Sequence, residues 1–114
     1  MKDAAVFLQH IGDAIARIEA YTVDGRRAFL ADTMVQDAVI RNLEVIGEAV
    51  RNLPLDLRRQ HPTIPWRSIT ALRNVLIHEY FGVDLEIVWR VVERRLPALK
   101  HHVGLMLKKV ARAR

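Results

Sequence analysis

The 114-residue sequence contains no cysteine, and only 6% of its residues are aromatic. The absence of cysteine excludes disulfide bonds, thiolate metal sites and a cysteine nucleophile, and it suits a reducing cytosol. No apolar run approaches the roughly 20 residues that a membrane-spanning helix needs. The start, Met1-Lys2-Asp3, has an early acid and lacks the apolar core of a signal peptide. These absences favour a cytoplasmic protein with no membrane partner.

The sequence also lacks strand-type alternation, repeats and low-complexity stretches. Hydrophobic residues make up 51% of the chain and charged residues 27%, as in a globular protein. This composition predicts one domain that covers residues 1–114. The net charge of +5 favours a polyanionic partner, although a solvated basic surface explains the charge equally well.

Apolar residues recur at helical spacing through most of the chain, which predicts an all-α bundle of four or five mostly antiparallel helices. The predicted helices cover Asp3–Tyr21, Met34–Leu53 and Trp66–Phe81, together with a last stretch after Asp84 that keeps its apolar phase to Val110. Shorter turns of helix are predicted at Arg26–Ala31 and Leu55–His61.

Residues that cap or interrupt helices mark several boundaries. Asp32 or Thr33 can cap the second long helix, and Asp84 can cap the last one. Pro97 lies inside the last helical pattern, so a kink or a break is expected there. Gly47, on one flank of the second long helix, is small enough to let another helix approach closely.

An unusual set of polar residues interrupts the apolar pattern of the third long helix, namely Arg73, Asn74, His78, Glu79 and Tyr80. At about 100° per residue, Asn74 and His78 stack on one face and Arg73 lies beside them. The apolar line of this helix, Ile69, Leu72 and Leu76, lies nearly opposite. Asn74 and His78 are therefore expected to face away from the monomer core.

Arginine beside a titratable histidine can cleave RNA without a metal ion. The histidine removes the proton of a 2′-hydroxyl, and the arginine stabilises the charge that develops on the phosphate. This pair also occurs often by chance. A surface arginine and a histidine in a helix-end hydrogen bond explain the same residues.

The polar motif in its setting resembles the HEPN superfamily, the higher eukaryotes and prokaryotes nucleotide-binding domains. Residues 73–78 fit the arginine–(four to six residues)–histidine motif, and His78-Glu79-Tyr80 extends it to the form of small HEPN toxins that are paired with a minimal nucleotidyltransferase antitoxin. The resemblance also covers the chain length, the helix order, and the segments Ile46–Ala49, Ile64–Trp66 and Asp84–Trp89.

This resemblance implies a HEPN-type homodimer and a toxin that acts as a metal-independent endoribonuclease, without a cofactor. Arg73 and His78 would carry catalysis at a cleft between subunits, and Asn74 would support them. Tyr80 would receive AMP from the partner nucleotidyltransferase, which adds negative charge at the cleft. Packing of Tyr80 at the helix end is the alternative.

Several charged, histidine and tryptophan residues outside this motif are further candidates for a functional role. Glu48 either pairs with Arg73 or is a solvated acid, and Glu44 is expected to be solvated. His10, His101 and His102 suggest no metal site, since adjacent histidines point to different faces and are expected on the solvent side. Trp66 and Trp89 fit core or interface positions better than base stacking. The charged run of the last helical stretch fits an exposed helix face or an extension of an RNA track, and it consists of Arg90, Glu93, Arg94, Arg95 and Lys100. The alternative to a toxin is a non-catalytic module that binds RNA, nucleotide or a partner protein.

Overall fold

The computed structural model of the protein describes residues 4–79 and 82–113, and the described residues form helices and short connections. The predicted all-α bundle is confirmed. Its helices are α1 (Ala4–Tyr21), α2 (Gly25–Ala31), α3 (Thr33–Arg51), α4 (Leu55–Arg59), α5 (Trp66–His78), α6 (Leu85–Arg90) and α7 (Leu96–Ala113). No helix within the described ranges is both long enough and apolar enough to cross a membrane.

Helix α3 lies at the centre of the bundle, with α1 on one side and α5 on another. The side chain of Asp32 caps it by accepting hydrogen bonds from the backbone N–H groups of Met34 and Val35, as the sequence predicts. The predicted apolar stripe of α3 is buried from Val39 to Leu53, and the helix packs mainly with α1 and α5. Helix α5 is attached to the bundle mainly through α3.

The connection from α4 to α5 is held by the indole of Trp66. Its Nε1–H donates to the carbonyl oxygens of Arg58 and His61, at 3.0 Å each. Ile64, which belongs to the connection between these two helices, is buried. These contacts fix the start of α5 relative to α4.

The α-helical hydrogen bonding changes before Pro97, as the sequence predicts. Residues Val91–Arg95 form a π-helix between α6 and α7, in which the N–H of Leu96 bonds the carbonyl of Val91. Proline has no N–H to donate to the carbonyl four residues earlier, so an α-helical register cannot continue unbroken through this point. Asp84 caps α6 as predicted, through bonds from the N–H groups of Glu86 and Ile87.

The predicted end of α5 at Phe81 is wrong, because the helix ends at His78. The backbone of Glu79 leaves the helical region, with φ −122° and ψ 38°. The N–H of Gly82 donates to the carbonyl oxygen of Glu79 at 2.9 Å. The backbone geometry of Glu79 thus ends the helix earlier than the apolar pattern suggests.

Candidate active site

The last two turns of α5 carry the polar motif. Asn74 and His78 are exposed, whereas Leu76 between them is buried. The expectation that Asn74 and His78 face away from the monomer core is confirmed. Val75 and Ile77, beside them on α5, are also exposed, by 47% and 37%. This end of α5 thus presents polar and apolar side chains together.

Arg73 packs tightly against Gly47, at a point where α5 lies close to α3. A Cβ atom added to Gly47 would lie 2.9 Å from Cγ of Arg73 and still closer to its Cβ. It would also lie 3.4 Å from the backbone oxygen of Ile69. The predicted close approach at Gly47 is confirmed, and the helix that approaches is the one that carries the motif.

The guanidinium of Arg73 has two polar partners. Its Nη2 lies 3.1 Å from Oε2 of Glu48, and its Nη1 donates to Oδ1 of Asn74 at 3.0 Å. Its Nε is buried and has no hydrogen-bond partner among the described residues. The Arg73 side chain is 23% exposed and that of Glu48 is 50% exposed. Of the two interpretations of Glu48, pairing with Arg73 is confirmed.

His78 is the last residue of α5, and its side chain is exposed. Its ring forms no hydrogen bond with any described residue. Asn74 lies four residues earlier on the same face and binds Arg73, so the three side chains form one continuous polar surface. Tyr80, the predicted modification site, lies outside the described residues.

A groove of about 1000 Å³ opens beside Arg73, and we call it the α1–α3–α5 groove. Arg73 and Ile77 line it from α5, Glu48 lines it from α3, and His10 lines it from α1. Glu44 also lines it and is only 19% exposed in its side chain, so the prediction of a solvated Glu44 is wrong. Asn74 and His78 do not line this groove. The α1–α3–α5 groove therefore reaches the motif from the side of Arg73.

His101 and His102 were both expected on the solvent side, but His102 is only partly exposed. His102 flanks the buried stripe of α7, and its Nδ1 lies 2.8 Å from Nδ1 of His61. Burial lowers the pKa of His61, and the positive charges of His102 and Lys109 lower it further. His101 is exposed as predicted. Sequence spacing did not reveal this pair, because His61 and His102 are 41 residues apart.

A second groove was not predicted, and we call it the Trp66 groove. It has a volume of about 480 Å³, and Arg58, Arg59, Arg67 and Trp66 are among the residues that line it. The sequence signal was available, since three arginines lie within ten residues of one another around Trp66.

The prediction that both tryptophans occupy core or interface positions is confirmed for Trp89, which is buried, while Trp66 is half-buried.

Comparison with known proteins assigns a family to this fold and motif. The family model described as "Ribonuclease HepT-like" matches residues 11–106. The chain therefore belongs to the HepT-like ribonuclease family, as the resemblance to HEPN toxins implied. No solved structure gives a significant match to the chain.

Individual relatives agree with this assignment. The chain is 47% identical over 95 residues to the "Probable ribonuclease HepT" of Thermococcus cleftensis, covering 82% of this chain and 86% of that protein. It is 37% identical over 113 residues to "Putative RNase TTE0752" of Caldanaerobacter subterraneus, covering 96% and 98%. It is 44% identical over 103 residues to a Methanocaldococcus jannaschii protein, "Gamma-glutamylcyclotransferase and putative RNase MJ0434", covering 90% of this chain. The chain spans only 46% of the length of that last protein.

Proposed function

We propose that the protein is the toxin of a toxin–antitoxin pair and cleaves RNA in the cytoplasm with Arg73 and His78. One observation carries this proposal: Arg73 is fixed by Gly47 and Glu48 while Asn74 and His78 stand exposed on the adjoining face of α5. A positioned cation beside an open imidazole is the arrangement that RNA transesterification needs. The family names of the relatives above agree with RNA as the substrate.

The proposed reaction needs no metal ion. The neutral imidazole of His78 accepts the proton of the 2′-hydroxyl, and the 2′ oxygen forms a bond to the adjacent phosphorus. The bond from phosphorus to the 5′ oxygen breaks, and that oxygen takes up a proton from water. Arg73 stabilises the extra negative charge on the phosphate oxygens, while Asn74 holds the guanidinium through its Oδ1. The products are a 2′,3′-cyclic phosphate and a 5′-hydroxyl end.

We further propose that two subunits form the reactive cleft, with α5 of each facing the other. Exposed apolar side chains at Val75 and Ile77 lie beside the polar surface of Asn74 and His78. A charge at Val75 would be costly to bury, so Val75→Glu should give a monomer that no longer cleaves RNA. A wild-type protein that is monomeric by sedimentation and fully active would contradict this part.

The proposed antitoxin is a minimal nucleotidyltransferase that adds AMP to Tyr80. Tyr80 is two residues after His78 in the sequence, so the added phosphate would bring negative charge close to the RNA cleft. Intact mass spectrometry of the protein made alone and with this partner tests the idea. We expect a gain of one or more AMP units that is lost in Tyr80→Phe. An unchanged mass under every condition would remove Tyr80 from the scheme.

Cleavage itself is tested with purified protein, RNA and EDTA. We expect products with 2′,3′-cyclic phosphate ends, and we expect Arg73→Ala and His78→Ala each to abolish them. Arg94→Ala and His101→Ala are matched controls, because both side chains are exposed outside the proposed site. Full activity in either site variant would contradict the mechanism. RNA binding by unmodified protein without any product would instead favour a binding module.

A further inference from the structure

The Trp66 groove lies between α4 and the first half of α5. Arg58 and Arg59 line it from α4, while Arg67 and Thr70 line it from α5. None of the described residues that line this groove is acidic. The positive charges of the arginines repel one another, because no acid among these lining residues neutralises them. A bound polyanion would relieve this repulsion, so the groove favours such a ligand.

The three arginines of this groove form no ion pair with any described residue. Elsewhere in the described ranges, several arginines do pair with an acid, namely Arg26, Arg41, Arg51, Arg73 and Arg94. The Nε of Arg58 is buried and also has no hydrogen-bond partner among the described residues. The groove therefore holds guanidinium donors that the protein itself does not satisfy.

Trp66 gives the groove a fixed aromatic wall. Its indole N–H is held by the carbonyl oxygens of Arg58 and His61, and its side chain remains partly exposed. Unpaired bases of RNA stack on aromatic side chains, and arginines bind the phosphates between them. An aromatic ring among unpaired arginines therefore fits single-stranded RNA better than an acidic protein surface.

The groove also shares a face of α5 with the proposed reaction site. Asn74 lies seven residues after Arg67, and His78 lies eleven residues after it. These spacings place the three side chains on one stripe of the helix. At 1.5 Å of rise per residue, Arg67 lies about 16 Å along the axis from His78. An RNA strand lying along this stripe reaches the groove a few nucleotides from the phosphate at His78.

We propose that the Trp66 groove binds the RNA strand that flanks the cleaved bond, with Arg59 and Arg67 on its phosphates and Trp66 beneath a base. The inference rests on the proposed ribonuclease function, since it assigns this groove to the same substrate. It predicts that the arginines act on RNA binding and not on the chemical step.

The test uses the full chain carrying His78→Ala, so that RNA stays intact during titration. Arg59→Gln/Arg67→Gln is the main variant, because both side chains are exposed and their loss leaves no cavity. The matched control is Arg17→Gln/Arg27→Gln, which removes the same charge from two exposed arginines of α1 and α2. A fluorescent single-stranded oligonucleotide reports affinity from 50 to 300 mM salt.

We expect the groove variant to bind RNA at least tenfold more weakly at low salt than the control variant does. Loss of two phosphate contacts should also reduce the slope of log affinity against log salt by about 1.4, at roughly 0.7 per contact with a single strand. Equal affinity and equal slope in the two variants would overturn the inference. Equal RNA binding with loss of antitoxin binding in the groove variant would also overturn it, in favour of a protein site.

A cleavage assay separates this inference from the proposed function. With His78 restored, the groove variant should raise KM for a long RNA and leave its kcat near that of the control. A wild-type protein that never cleaves RNA would defeat the proposed function, whereas the RNA-binding result would still decide the role of the groove. A fall in kcat at unchanged RNA affinity would place these arginines in the chemistry and overturn the inference.

Discussion

Gly47 of α3 and Arg73 of α5 are packed so closely that a methyl group on Gly47 would overlap the side chain of Arg73. The closest of the overlapping atoms is Cβ of Arg73, which cannot move without the backbone of α5. The position of the guanidinium relative to His78 therefore depends on Gly47 of α3, which has no side chain.

Gly47→Ala should displace α5 and lower both stability and activity. Overpacking of this kind costs about 1–3 kcal/mol in the free energy of unfolding. A displacement of Arg73 by about 1 Å should reduce RNA cleavage by about a hundredfold, because positioning errors of this size are that costly. Urea unfolding and a cleavage assay on the folded protein measure the two effects.

Gly104→Ala is the matched control for this substitution. Gly104 lies within α7, and an added Cβ there would meet nothing within 4 Å. Replacing a helical glycine by alanine in open space should stabilise the protein by about 0.5–1 kcal/mol. A Gly47→Ala protein that behaved like Gly104→Ala would show that α5 adapts without cost.

Glu48→Gln should weaken catalysis without unfolding the protein. The substitution removes the charge that lies 3.1 Å from Nη2 of Arg73, while the side chain keeps its size. Glu48 is half exposed, so solvent screening limits the effect to about a three- to tenfold loss of cleavage rate. Glu93→Gln is the control, because its pair with Arg94 is exposed on the π-helix. Equal rates in the two variants would mean that Gly47 alone positions Arg73.

Asp32→Ala should destabilise the protein by about 1 kcal/mol, because its side chain caps α3 through two backbone N–H groups. Thermal unfolding measures the loss. Asp24→Ala is the comparison: Asp24 precedes α2 but makes no capping hydrogen bond with its side chain, so its replacement should change the melting temperature little. Similar losses in the two variants would contradict the capping role of Asp32.

The His61–His102 pair should make stability depend on pH below neutrality. Burial, His102 and Lys109 lower the pKa of His61 in the folded state, so the unfolded chain binds its proton at higher pH. The contribution of neutral His61 to the free energy of unfolding is therefore complete above the unfolded pKa of about 6.5, and it is lost as pH falls towards the lowered folded pKa.

Between pH 7.5 and 5.5, the melting temperature of the wild type should fall more steeply than that of His61→Gln. His101→Gln should keep the wild-type slope, and identical slopes in all three proteins would contradict the assignment.

The sequence allowed prediction of features that depend on neighbours along one helix. The stripe of α3, the caps at Asp32 and Asp84, and the outward direction of Asn74 and His78 all follow from residue spacing, and all are confirmed. The assignment of catalysis to Arg73 and His78 came from the family motif and stays a prediction. The AMP site at Tyr80 is likewise a prediction.

Features that depend on the meeting of distant segments escaped prediction. His61 reaches His102 only because the connection before α5 crosses the flank of α7, and no local pattern specifies that crossing. The Trp66 groove exists because hydrogen bonds from one indole hold α5 against α4. The early end of α5 follows from the backbone of Glu79, which leaves the helical region with φ −122° and ψ 38°.

Under the proposed mechanism, a compound in the α1–α3–α5 groove would inhibit the protein through Arg73 from the side away from Asn74 and His78. A small molecule that filled it would contact Arg73 and Glu48, yet would touch neither Asn74 nor His78. Phe7 and Val45 give such a compound apolar anchorage in the same groove. Drawing Glu48 away from Arg73 would leave the guanidinium without its acidic partner. An inhibitor of this fold could therefore act on the contacts that hold Arg73 in place and need not enter the proposed RNA cleft.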